Sequence, residues 1–214
     1  MNNTSKKTLG LVQVALFTAI IFVLAMVPGL GYIPLGVIRA TTIHIPVIIG
    51  ALVLGPKKGA LLGGAFGLTS LINNTLNPTV TSFVFSPILA AEMDGAMGVI
   101  KSTIICFVPR ILVGIIPYFV YRLIRKQMKN NKTSMVTALA CAGVAGSLTN
   151  TLLVMNLIYV FFGDTYAAAK EVSYQALYGT ILAIIGTNGI PEAIVAGILV
   201  TAIGKVFFQS RILN

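Results

Sequence analysis

The chain has 214 residues, 57% of them hydrophobic and 9% charged, with a formal net charge of +10. A soluble domain carries about 25% charged residues, so this composition and a mean hydropathy of +0.95 exclude a soluble globular protein and indicate an integral membrane protein. The cationic excess is read as loop charge that sets orientation in a bilayer, not as a nucleic-acid surface.

A spanning helix takes about 20 apolar residues, so the length admits roughly five to seven spans and no soluble catalytic domain. One transmembrane domain over residues 1–214 is expected. The basic start and apolar run at the N-terminus are read as a retained first helix, because the run is long enough to span and no A-x-A-like site follows it. Cys106 and Cys141 sit in apolar runs with no metal or disulfide spacing.

In chain order, span one is predicted over residues 8–27, broken at Val27-Pro28-Gly29, and followed by a Gly/Pro-rich loop carrying Arg39, Thr41, Thr42 and His44. Span two is short, 43–54, and ends at Gly55-Pro56. Span three covers 58–76. The connection 77–101 is partly apolar but interrupted by Pro78, Pro87 and Gly95, and it is expected to lie in or over the membrane surface. Connections of this length are usually functional. Span four is predicted over 102–122, span five over 134–162 and span six over 175–208. The fold class is therefore all-α with six transmembrane helices.

The charges orient it. With both termini cytoplasmic, the inner segments hold Lys6, Lys7, Lys57, Lys58, Arg122, Arg125, Lys126, Lys129, Lys132, Lys205 and Arg211, against Arg39, Lys101 and Lys170 outside. Glu92, Asp94, Asp164 and Glu171 are all outside. This is the bias of the positive-inside rule.

Small residues recur at helical spacing. Gly59, Gly63 and Gly67 share one face of span three and are read as close packing within the bundle. Ala15 and Ala19 on span one are open to two readings, packing within the bundle or docking of another membrane protein.

Polar groups inside spans face the bundle interior or a water-filled cavity. Asn73 and Asn74 end span three and His44 opens span two. Arg110 lies about two turns down span four, Asn150 near the middle of span five, and Asn188 and Glu192 towards the middle of span six. These positions concentrate in the outer half, as in a cup open to the outside. Each has a bland alternative. Asn74 ends a helix, His44 caps one, Asn150 and Asn188 bond each other, Glu192 pairs with Arg110, and Arg110 snorkels to the surface. The candidate binding residues are Arg39, His44, Asn74, Phe85, Arg110, Asn150 and Asn188. Positive donors favour an anionic solute of modest size, since arginine binds carboxylates bidentately. The chain has no tryptophan to stack a large flat ring.

No P-loop is present: in GALVLGPK, Gly50 to Lys57, proline stands where the lysine belongs. No H-E-x-x-H or G-x-S-x-G motif occurs, and a lone histidine makes a poor metal site. No catalytic residue, metal or cofactor is expected. An ion-coupled secondary transporter is the rival reading, with Glu192 beside Pro191 as its support; an intramembrane enzyme is a third.

Taken together, six helices, cytoplasmic ends, Ala15/Ala19, long outer connections after spans one and three, and the segment NGIPEAIVAGILVTAIGKVF beginning at Asn188 resemble the substrate-binding S component of energy-coupling factor (ECF) vitamin transporters. The resemblance covers nearly the whole chain. It implies a prokaryotic cell-membrane subunit without its own ATPase, which binds a vitamin at the outer face. It also implies docking through Ala15 and Ala19 onto a membrane coupling (T) component that carries two cytoplasmic ATPases. The stretch ATTIHIPVIIGALVLGPKKGALLG is most similar to pantothenate-type S components, with hydroxymethylpyrimidine and riboflavin as alternative ligands.

Overall fold

The computed structural model describes residues 3–27, 29–35, 38–128 and 132–210, and for 3–6, 32–35, 38–40 and 209–210 the backbone alone. Helix α1, Asn3–Met26, is an apolar run that ends just ahead of Pro28, where Gly29 takes the left-handed region at φ 83°. The loop expected next contains an antiparallel hairpin, β1 (Tyr32–Leu35) with β2 (Ile38–Thr41), in which Tyr32 faces Thr41 and Pro34 faces Arg39. Its base is closed by the Thr42 N–H donating to the Gly31 carbonyl at 3.0 Å. Glycine and proline signals marked a loop here, and a pairing this short has too little alternation to be visible in sequence.

Helix α2, His44–Leu54, is about 16 Å long, roughly half the hydrocarbon thickness. It is apolar on all sides and buried from His44 through Leu52, the pattern of a helix enclosed by others. Gly55 at φ 91° breaks it, and α3, Pro56–Leu76, starts at once with its proline in the first turn, where a missing N–H costs nothing. Around α2 packs one apolar core, with Phe17 and Ile21 of α1, Leu62 and Phe66 of α3, and Leu139 and Val200 further along the chain. The glycine stripe of α3 is consumed within the bundle. A Cβ on Gly59 would run into the Gly114 carbonyl, and one on Gly63 into the Arg110 carbonyl.

The connection after α3 is shorter than predicted. It makes a 3-10 turn at Ser82–Val84 and then enters α4, Pro87–Val113. Pro87, taken in the sequence as an interruption, is the first residue of this helix, and the Ser86 hydroxyl caps it by accepting the Leu89 N–H at 3.4 Å. The break falls instead at Asp94 and Gly95, the latter at φ 54°. After a turn at Gly114 and Ile115 come α5 (Ile116–Gln127) and α6 (Lys132–Ala169), the latter interrupted at Phe162. Helix α7, Tyr174–Ile184, is capped by Ser173 and joined to α8, Ile190–Ser210, by a π-helical turn, Ile185–Gly189.

With α4–α5 and α7–α8 each taken as one interrupted rod, the described residues form six rods. Among the described residues, four apolar stretches are long enough to cross a membrane: Lys7–Met26, Pro87–Gln127, Lys132–Ala169 and Tyr174–Phe208. A second apolar core, with Phe83, Ile105, Val154, Ile158, Phe162 and Leu177, occupies the other part of the bundle.

Candidate functional site

A cavity of about 490 Å³ borders both cores, touching Phe66 of the first and Val154 and Met155 of the second. Small-molecule sites fall at about 300–1,000 Å³. Its walls come from Thr41 at the end of β2, the last turns of α3, the connection to α4, α4 itself, α6, the π-helical turn and the start of α8.

Arg110 is its strongest feature. The side chain is 6% exposed, so it does not snorkel to the surface. One terminal nitrogen donates to the Ile105 carbonyl at 2.6 Å and the other to the Ser70 hydroxyl at 3.4 Å. The guanidinium carbon lies 5.5 Å from the Phe66 ring centre and 5.1 Å from that of Phe85. Two aromatic rings within about 6 Å stabilise a cation and hold its plane. Phe85 is fixed in turn, because the Cys106 thiol donates to its carbonyl at 3.0 Å. A rigid, permanently charged fork at a cavity wall suits a carboxylate.

Asn74 ties α3 to the following connection. Its amide nitrogen donates to the Ser70 carbonyl at 2.8 Å, and its oxygen accepts from the Ser82 hydroxyl at 2.9 Å. The Ser82 oxygen also accepts the Thr79 N–H at 2.9 Å, so Asn74 both lines the cavity and holds its rim.

On the α6 wall, the Asn150 side-chain oxygen is buried with no hydrogen-bond partner, a costly state for a polar group unless something fills it. Asn188 sits in the π-helical turn, a distortion common at functional sites. Its oxygen lies 3.4 Å from the Thr187 hydroxyl, and since the Asn150 oxygen has no partner, Asn188 does not donate to it. Gly189 lets this turn lie against α6, since a Cβ there would come within 2.8 Å of the Thr151 methyl.

Glu192 is 8% exposed and accepts the Thr41 N–H at 2.8 Å, across 151 positions of sequence. The Thr151 hydroxyl faces the same carboxylate. Among the described residues Glu192 does not pair with Arg110; the ion pair present joins Lys101 and Asp94 at 2.5 Å. The Glu192 bond fastens the end of the hairpin to α8 at the cavity.

The cavity thus brings together Asn74, Phe85, Arg110, Asn150 and Asn188. His44 is 1% exposed at the start of α2, outside that lining, and neither ring nitrogen has a hydrogen-bond partner. Arg39 belongs to β2, and its side chain lies outside the described residues. Ala15 and Ala19 are on the exposed side of α1, beside Leu16 at 60% exposure. Sequence reasoning did not count Thr41, Ser70, Thr151 or Glu192 as lining residues. Glu192 carried a signal as an acid inside a span. The three hydroxyl residues carried none, because serine and threonine are common in membrane helices.

Comparison with known proteins identifies a family and relatives. The family described as "ECF transporter, substrate-specific component" matches residues 10–204. The "Pantothenic acid transporter PanT" of Lactococcus lactis subsp. cremoris is 40% identical over 177 residues, covering 81% of this chain and 80% of that protein. The "Pantothenate transporter PanT" of Leuconostoc mesenteroides subsp. mesenteroides is 32% identical over 209 residues, covering 95% and 94%.

Proposed function

The chain belongs to the substrate-specific components of ECF transporters, and on that premise we propose that it captures pantothenate in the Arg110 cavity for ATP-driven uptake. It is a multi-pass cell-membrane protein and a transport subunit, not an enzyme. The relatives named for pantothenate cover most of the chain, and the chemistry of the cavity supports extending that substrate to this protein.

The observation that carries the reading is the Arg110 guanidinium held between Phe66 and Phe85 at the cavity wall. Pantothenate has a carboxylate at one end, a central amide and a compact dimethyl group. Arg110 takes the carboxylate, Phe85 the methylenes next to it, Asn150 and Asn188 the amide, and Val154 and Met155 the dimethyl group. Asn74 holds the rim. Arg39 belongs to the hairpin at the entrance, and His44 packs at the start of α2 outside the lining. The absence of tryptophan suits a substrate without a flat ring.

In this reading residues 1–214 form one domain of six spans with both termini cytoplasmic, and the cavity opens outwards through the hairpin and the connection between α3 and α4. The loaded subunit works with a membrane coupling component and two cytoplasmic ATPases, docking through Ala15 and Ala19, whose exposed side of α1 is available for a partner. The test is mass spectrometry of the small molecule released when the purified protein is denatured. Pantothenate at about one per chain is expected. Hydroxymethylpyrimidine or riboflavin in its place overturns the assignment.

A further inference from the structure

We propose that Glu192 accepts hydrogen bonds from the hydroxyl end of the substrate and thereby fixes the direction in which pantothenate binds. The inference rests on the pantothenate reading and deepens it.

The cavity carries one arginine and one glutamate on different walls. Arg110 is anchored on the α3–α4 side by Ser70, the Ile105 carbonyl and two aromatic rings. Glu192 is anchored on the α8 side by the Thr41 N–H, with the hydroxyls of Thr41 and of Thr151 of α6 facing the same carboxylate. The two do not pair with each other, and they reach the cavity from different elements, α4 and α8. Helix α6 packs against both α4 and α8 and carries Asn150, whose buried oxygen lacks a partner.

An ionised carboxylate only accepts hydrogen bonds, and it has about four lone-pair sites. The Thr41 N–H fills one of them, and the Thr41 and Thr151 hydroxyls face the same carboxylate. The acceptor capacity they leave is open to an O–H or N–H donor from whatever occupies the cavity. Pantothenate offers two hydroxyls at the end opposite its carboxylate, with an amide N–H between. Placed with its carboxylate on Arg110, it sets the amide against Asn150 and the hydroxyls against Glu192. Reversed, it would put carboxylate against carboxylate, a like-charge contact that is strongly disfavoured, and leave Arg110 facing neutral hydroxyls. The cavity therefore discriminates at both ends. A site built to bond substrate hydroxyls rejects an analogue that lacks them, because its own polar groups are then left unpaired.

The test compares two ligands by isothermal titration calorimetry on the purified full chain in detergent. One is pantothenate. The other is an N-acyl-β-alanine with the same carboxylate, amide and dimethyl skeleton but neither hydroxyl. The native protein is expected to prefer pantothenate by about 10- to 100-fold, the worth of hydrogen bonds to a charged group. In Glu192→Gln the preference drops to a few-fold and the affinity for the hydroxyl-free analogue stays nearly the same. The glutamine oxygen still accepts the Thr41 N–H, so the hairpin attachment survives. An unchanged preference, or equal weakening of both ligands as expected of a purely structural latch, overturns the proposal. So does a native protein that binds both ligands equally, a result needing no variant. A native protein that binds neither ligand rejects the pantothenate reading itself, and the Glu192 assignment with it.

Discussion

Around α2 the helices meet through small residues and an apolar core, whereas at the Arg110 cavity polar side chains and a π-helical turn line the space between them. Gly59 and Gly63 bring α3 against the backbone of Gly114 and Arg110, and α2 is buried along nearly its whole length. Towards the second core, α4 breaks at Asp94–Gly95, α6 departs from helical geometry at Phe162, and α7 passes into α8 through a π-helical turn. In a bilayer, irregular backbone is tolerated only where it is buried in protein or lines a cavity. Of these interruptions the π-helical turn lines the cavity, through Asn188, and the α2 core serves as its platform. Side-chain chemistry follows the same division. Arg110, Asn150, Asn188 and Glu192 lie at the cavity, while the α2 core is filled by residues such as Ile48, Leu62 and Phe66.

The contrast can be broken from either side. The largest effect is expected from Gly63→Leu, which would push a side chain into the Arg110 backbone. Overpacking of this kind commonly costs about 1–3 kcal/mol and more against backbone, so the variant should fail to give a monodisperse peak in size-exclusion chromatography. Normal elution and thermal stability would contradict close packing between α3 and α4.

Ala15→Trp and Ala19→Trp alter the exposed side of α1 and leave the cavity alone. Uptake by cells or proteoliposomes containing the complete transporter should be abolished, with pantothenate affinity unchanged. Normal transport by both variants would remove these alanines from the docking surface.

Arg110→Ala attacks the cavity. Loss of a hydrogen-bonded ion partner should weaken pantothenate about 10- to 100-fold by calorimetry. Arg110→Lys should restore only part of this, because a point charge cannot reproduce the fork. Affinity unaffected by either change would place the carboxylate elsewhere.

His44→Phe has the smallest expected effect and sharpens the boundary between the two halves. The ring is enclosed without hydrogen bonds, so an apolar ring of similar shape should hold or raise the melting temperature, with affinity changed by less than about threefold. A tenfold loss of affinity would move His44 into the binding machinery.

Several elements are legible in the sequence alone. The predicted ends of span three and span six fall close to α3 and to α7–α8, because apolar runs and their Gly/Pro boundaries are local signals. The expectation that span five ends near residue 162 coincides with the departure at Phe162. The start of span four was misplaced, because Pro87 reads as a breaker in isolation and becomes a first-turn residue once Ser86 caps the helix. The grouping of Arg110, Asn74, Asn150 and Asn188 was approachable from their depth along the spans, since polar side chains in a membrane turn inwards.

By itself, then, the sequence determined that this is a membrane protein, where most of its helices lie and which of its polar residues fall within them. These follow from composition, apolar run length and the cost of burying charge, all of which act on residues close along the chain. The tertiary structure decided that Glu192 bonds Thr41 across 151 positions and not Arg110, that the loop before α2 folds into a hairpin, and that Phe66 and Phe85 enclose the guanidinium. Those contacts join distant segments. Their geometry depends on how α3, α4, α6 and α8 pack against one another, which no local pattern encodes.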